Sequence, residues 1–587
     1  PTDWDWRTDP GSLSDRLRPL EPEPRHVELD PDAALVGPIL ERRPREATTV
    51  KDVGAAFEIQ TFSLASLELV QVRQIAEANG IALSEPFLEA IAANNLDSLA
   101  QTPLDVEILV AYWKGKGHLD RLAQMVEYAV GRKLVEREAN RPDGDRLSLE
   151  DARRGCERIA AALTFGKALS VRFSQDDAHP TMEETSPEIA SVLPEWSDAK
   201  RAALLRRGVF APATFGRVRF HHRQTQDFLT ASWLDRLMRD GHDHGAVLRL
   251  AFPEVHGEEI VVPSLVPALS WLALRQPTVR NALLERQPLA LVQSGDPSSL
   301  SLDDRKRVLT RYAALHRAGK VSNDMIWGRQ LALFSDAGLA GTIRDIWKND
   351  PAADVRFQLL RLVGEAGIAE CADLCGEVAI DDSAKDYHRI VAVQALARCK
   401  ADGYLAHLAD RLFNDCAAMA EHVCCGFALE LFPRQLDAVQ LASIIDRTPR
   451  SKKLRTDGFA DKLDEFLATC RNAQDRRALL SELVRLCRQK PLSHDYERVS
   501  AKHKALAEHL GPLVRDALNR LGTGEPPSTA LVRALRVMQW VHDLDGRDEE
   551  ETLSQLVRRN FALNRALYWH SVIEERIQKP DRTRDNW

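Results

Sequence analysis

Phe220-His221-His222-Arg223-Gln224-Thr225-Gln226-Asp227-Phe228-Leu229-Thr230-Ala231 is the stretch on which the reading of this chain turns. Its left edge belongs to a β-like piece, Gly216-Arg217-Val218-Arg219-Phe220-His221, in which apolar and polar residues alternate. Beyond His222 the period changes, and Phe228, Leu229, Trp233 and Leu237 fall on one face of a helix. A strand therefore runs directly into a helix here, and two adjacent histidines stand at the junction.

Working towards the N-terminus, a second β-like piece, Ala168-Leu169-Ser170-Val171-Arg172-Phe173, lies between helical stretches at 148–164 and 197–206. Helices with one small hairpin are the ingredients of a winged helix, and an irregular helical bundle is the alternative. This mixed domain is expected to span 146–245. From Leu64 to Asn140 the period is helical, which predicts a four-helix domain bounded at 63–145. Its first helix stops at Asn79-Gly80, and its second begins near Ser84 with Pro86 in the first turn. The third has a well-formed start, with Thr102 as N-cap, Pro103 at the first helical position and Asp105 at the third. A fourth follows His118 and carries Leu122, Met125, Val126 and Ala129. Before them, Ala56-Phe57-Glu58-Ile59-Gln60-Thr61-Phe62 reads as a strand with no partner in the neighbouring sequence. A lone strand is unstable, so its sheet is expected upstream or far away in sequence. Pro1, with tryptophans at 4 and 6, is an unusual natural start, and a preceding part is expected.

After Gly245 the pattern is helical to the end. Residues 246–350 are read as a helical connector. From 351 to 587 helix pairs recur every 30–40 residues or so, at 354–380 broken at Gly364 to Gly367, at 386–413 broken at Gly403, and at 417–445 broken at Pro433. A two-helix unit of that length points to HEAT-like repeats.

The bulk composition fits this picture. The 587 residues are 44% hydrophobic, 28% charged and only 6% aromatic, which favours helix over sheet and implies about three to five domains. A net charge of −8, with both signs interspersed, gives no nucleic-acid footprint, and no nucleic-acid or membrane partner is expected. Nine cysteines without framework spacing sit among Leu, Ala and Val, as reduced core thiols do, which implies a cytoplasmic location. Cys371 and Cys375, like Cys424-Cys425, lack two further placed ligands for zinc. His242-Asp243-His244 reads as a solvated turn, and no metal site is expected. Gly115-Lys116-Gly117 and Gly166-Lys167-Ala168 lack the leading glycine and the following Ser/Thr of a phosphate loop. No catalytic residue is assigned, and ATP hydrolysis by this chain alone is not expected.

The quoted stretch closely resembles the hallmark of the winged-helix domain of STAND-class NTPases of the NACHT type: an aromatic, a spaced His-Arg, then Gln-Glu/Asp, an aromatic, Leu and small residues. Thr102-Pro103-Leu104-Asp105 resembles that class's proline at the start of a helix in the first helical domain. Leu193-Pro194-Glu195-Trp196-Ser197 and Pro1-Thr2-Asp3-Trp4 add further matches. The resemblance runs from about residue 50 to 240. It implies a mainly α chain in which 1–62 is the remnant edge of an α/β nucleotide-binding domain, followed by the four-helix domain, the winged helix, the connector and a HEAT-like α-solenoid.

It also implies roles. His222 would donate a hydrogen bond to the β-phosphate of ADP, and Pro103 would pack against the adenine. His221, one residue earlier on a strand, would point the other way. ADP or ATP with Mg²⁺ would belong to the parent ATPase, and this chain alone would hold none tightly. The parent would be a prokaryotic, NLR-like signalling protein of antiviral (antiphage) defence. Its ADP-locked closed state would open and self-oligomerise when a protein ligand, phage-derived in that setting, meets the repeats. Two other readings stand beside it: a helical-repeat interaction scaffold that never meets a nucleotide, and a DNA-binding winged-helix regulator using Arg217, Arg219 and Arg223.

Overall fold

The computed structural model describes residues 67–578, apart from 82–83, 94–95, 97–98, 136–146, 174–185, 214–215, 243, 322–327, 351, 450–457, 489–498, 522–524 and 542–560. The strand read at 56–62 and the Pro1-Thr2-Asp3-Trp4 match lie outside the described residues. The rest is mainly helical and divides into two compact units, 1–366 and 367–587.

The first unit opens with α1 (Leu69–Ala78), α2 (Ser84–Ala93), α3 (Pro103–Lys116) and α4 (Leu122–Leu134). Local chemistry sets their ends. Thr102 caps α3, its hydroxyl accepting from the Asp105 amide at 3.3 Å and donating to the Asp105 carboxylate at 2.6 Å. Gly117 closes the same helix in the left-handed region, at φ 73°. The Gly115-Lys116-Gly117 run is thus a helix end, and Gly115 is small because the Tyr128 hydroxyl lies where a Cβ would stand.

Then follow α5 (Leu149–Phe165), β1 (Val171–Arg172), α6 (Ile189–Val192), α7 (Asp198–Leu205), β2 (Phe210–Ala213), β3 (Arg217–Phe220) and α8 (Arg223–Arg239). The strands form an antiparallel sheet of order β1-β3-β2, with Val171 opposite Val218 and Phe210 opposite Phe220. Strand β2, Phe210-Ala211-Pro212-Ala213, was not anticipated from sequence; a proline in a four-residue run hides it, and it exists through its pairing with β3. Ser148 and Ser197 cap α5 and α7.

Helix α8 packs against α5 and against α10 (Val266–Ala273), which follows α9 (His244–Ala251) and a short hairpin, β4 (Glu254–Val255) and β5 (Glu258–Glu259). Periodicity predicts one apolar face on α8, through Phe228, Leu229, Trp233 and Leu237. The helix is instead buried nearly all round: Leu234 and Met238 are covered, Trp233 and Leu237 are partly exposed, and Gln226, Asp227, Thr230 and Asp235 lie inside. Two helices clasp it, so its polar residues must find partners. Gln226 donates to Thr164 on α5 at 3.0 Å, and Gln276 donates to Asp235 at 2.7 Å. Glu157, 2% exposed, accepts from Arg153 at 3.1 Å and Arg236 at 2.9 Å, and Arg153 also binds Glu127 on α4. The unit continues through α11 (Pro277–Arg286), α12 (Ala290–Gln293), α13 (Leu302–Arg317), α14 (Gly328–Phe334), α15 (Ala340–Asn349) and α16 (Ala353–Ala366).

The second unit holds α17 (Ala372–Ile380), α18 (Asp386–Arg398), α19 (Asp402–Asp415), α20 (Glu421–Leu431), α21 (Ala438–Arg447), α22 (Leu463–Thr469), α23 (Ala473–Cys487), α24 (Lys504–Glu508), α25 (Gly511–Asn519), α26 (Thr529–Val541) and α27 (Phe561–Gln578). Each packs on helices near it in the chain, α17 on α18, α18 on α20, α21 on α23 and α23 on α26, which gives a helical-repeat-like stack. The break read at Gly403 falls earlier, at Cys399 to Ala401, where Lys400 takes φ 55°; Gly403 is inside the first turn of α19. Phe427 and Phe466 anchor the core, each burial contributing about 1.5–3 kcal/mol.

All nine cysteines are buried free thiols. Burial pushes Cys399 and Cys470 up to about 11 and Cys424 to about 12, so they are packing groups and not nucleophiles. Among the described residues no helix is long and apolar enough to cross a membrane.

Candidate functional site

Strand β3 ends at Phe220, whose ring packs on Phe210 of β2 with centroids 4.8 Å apart. The His221 amide still donates to the Val209 carbonyl at 2.9 Å, and the chain then turns into α8 with His222 as its N-cap. His222 has extended backbone (φ −138°, ψ 138°), and no side chain caps the helix. Strand alternation would send the two imidazoles to opposite sides. They instead lie side by side, ring centroids 4.3 Å apart, with His221 Nδ1 2.6 Å from His222 Nε2. The strand has already ended, so its period no longer applies. His221 is the exposed member and His222 is half-buried.

His222 faces a small cleft with Gln224 and Thr225 from the first turn of α8, and Ile108, Val126, Ala129, Val130 and Lys133 from α3 and α4. The cleft has room for little more than a water molecule. Burial, then the neighbouring His221 and Lys133, push His222 down to about 4; Glu107 and Asp105 on the first turns of α3 oppose this. At neutral pH His222 is therefore an uncharged imidazole, and in the tautomer whose Nε2 accepts from His221 its Nδ1–H is the one N–H to offer. Lys133, 3.7 Å from Glu107, is the cation beside it. The positive end of α8 lies at the same point. Together these groups can hold an anionic acceptor through one imidazole hydrogen bond and one ammonium.

Pro103 sits at the exposed start of α3, the helix whose Asp105 and Glu107 reach His222 electrostatically, but it does not line the cleft. Lys133 and Glu107 were not anticipated from sequence, because they come from α4 and α3, roughly a hundred residues upstream, and carry no motif. Gln226 and Asp227 of the quoted stretch fasten α8 to its surroundings: Asp227 is buried, its carboxyl pushed up by burial and only partly held down by Arg223 at 3.4 Å. No group of three or more His, Cys, Asp or Glu side chains among the described residues could hold a metal ion.

Compared with known proteins, the chain matches no family model and no curated protein.

The depressed His222 value has a measurable consequence. Between the ordinary histidine pKa of 6.5 and about 4, the unfolded chain binds a proton at this residue and the folded chain does not. Stability from this group is therefore complete above 6.5 and is lost as pH falls towards 4. Melting curves between pH 6.5 and 4.5 should show a shallower acid-side loss for His222→Gln than for wild type. Parallel curves would mean that His222 titrates normally.

Proposed function

We propose that this chain is the regulatory and ligand-sensing part of a signalling ATPase of the STAND/NACHT class, with antiviral defence as its setting. The observation that carries the reading is the junction at His222. The quoted motif opens the helix that follows a hairpin, and its half-buried, neutral imidazole faces the first turns of the Thr102-Pro103 helix. The order α5, β1, α6, α7, β2, β3, with sheet order β1-β3-β2, is that of a winged helix, and it supports naming this region so. Helices α1 to α4 then correspond to the first helical domain, and the repeat-like second unit to a HEAT-like sensor.

In this reading His222 donates to the β-phosphate of an ADP held mainly by an upstream nucleotide-binding half, and Pro103 borders the base. A neutral imidazole costs less to bury than a charged one and still supplies a charge-assisted hydrogen bond to phosphate. The closed state persists while that contact is made, and a ligand on the repeats that favours the open state shifts the population. The cleft is too small to hold a nucleotide alone, which fits a contact contributed to a larger site.

Exchanging residues 351–587 for those of a related receptor should change which stimulus activates the parent protein and leave its ADP affinity within about twofold. Activation assays with both stimuli, paired with nucleotide titration, check this. Specificity that stays with residues 63–245 would overturn the sensor assignment.

A further inference from the structure

Helix α4 has no N-cap of its own: Arg121 stands at that position, and its side chain makes no capping bond. The cap comes from a residue 173 positions away. Asp296 Oδ2 accepts from the Ala123 amide at 2.9 Å. The same carboxylate, 1% exposed, also accepts from the Ser298 amide at 3.1 Å, the Ser298 hydroxyl at 2.5 Å and the Ser299 hydroxyl at 2.7 Å. One buried group therefore starts two elements at once, α4 and the 3₁₀ turn Pro297–Ser299. Gly295 before it takes φ 74° and lies so close to Ser270 of α10 that a Cβ would stand 3.1 Å from that backbone. The loop is pinned from both sides.

Arg305 on α13 grips the far side of this turn. Only 7% exposed, it donates to the carbonyls of Ser298 at 2.8 Å, Leu300 at 3.2 Å, Phe334 at 2.9 Å and Ser335 at 2.8 Å. The last two close α14, which packs in turn on α16, the final helix of the first unit. A planar guanidinium holding four carbonyls in fixed directions transmits displacement as a rigid joint does.

We propose that Arg305 and Asp296 form a relay that couples the end of α14 to the N-terminus of α4, the helix that walls the His222 cleft. A shift of α14 moves the Ser298 carbonyl through Arg305, tilts Asp296 and releases the first turn of α4. The relay stands on its own geometry and does not rest on the nucleotide reading.

Hydrogen–deuterium exchange on the chain, on Arg305→Lys, on Asp296→Asn and on the double variant tests it. Arg305→Lys should raise exchange at the amides of residues 123–125 about tenfold or more, although the acceptors of Arg305 all lie between residues 298 and 335. The double variant should exchange there no faster than the stronger single one. Asp350→Asn, which weakens the cap at Ala352 outside the relay, should leave residues 123–125 at the wild-type rate. Loosening of residues 298–300 and 335 by Arg305→Lys with wild-type exchange at 123–125 would overturn the proposal, and so would an equal effect of Asp350→Asn. If Arg305→Lys melts the unit, the reverse direction decides: Asp296→Asn must raise exchange at the Ser335 amide, and an unchanged Ser335 overturns the relay equally.

Discussion

Arg305→Ala is expected to destabilise the first unit by about 3–5 kcal/mol, among the largest effects of any single substitution in it. Removal of the guanidinium strips the hydrogen bonds from four carbonyls at once, and those of Leu300 and Phe334 lie in the interior with the least access to water. Each buried acceptor left unmet costs about 1–3 kcal/mol before relaxation. The ring of Phe334, 6.0 Å from the guanidinium, loses its cationic neighbour as well. Urea unfolding followed by circular dichroism should show the midpoint fall in proportion, with the second unit's transition, where resolved, unchanged. A loss below about 1 kcal/mol would mean that water reaches all four carbonyls.

What could be read in the sequence follows a physical line between local and distant chemistry. The starts of α3, α5 and α7 were legible because an N-cap needs only a hydroxyl and an amide three residues on, as at Thr102 and Asp105, Ser148 and Asp151, and Ser197 and Lys200. The stop at Gly364 to Gly367 was legible for the same reason, since Gly367 adopts φ 59°. Distant partnerships were not. Strand β2 exists only because Phe210 meets Phe220, and α4 is capped from Asp296. The face of α8 was misjudged because periodicity assumes one buried side, whereas α5 and α10 cover it from two. At the candidate site, the sequence singled out His222 through a resemblance, but its neighbours Lys133 and Glu107 are set by how α3 and α4 pack beside α8. The side-by-side histidines were hidden by a one-residue question, whether β3 ends before or after His221.

His222→Ala in the complete protein carries the largest expected functional effect. It removes one hydrogen bond to a charged group, about 1.5–3 kcal/mol of preference for the closed state. The open population should rise roughly ten- to a hundredfold where the closed state dominates. Fold stability at neutral pH should change little, because His222 is half-buried and its ring lies beside the exposed His221. His221→Ala serves as the matched control. It deletes the neighbouring ring and relieves part of what depresses His222, yet it leaves the donor in place.

The most direct measurement is the ADP dissociation rate, read together with signalling in the absence of stimulus, for His222→Ala and His221→Ala in the nucleotide-loaded parent protein. The account predicts that His222→Ala releases ADP at least tenfold faster and signals unprompted, with a melting temperature near wild type, while His221→Ala stays within about twofold of wild type. A structural histidine predicts the reverse, a lowered melting temperature for His222→Ala with an unchanged ADP off-rate and no basal signal, and that result would contradict the assignment of a nucleotide contact to this chain.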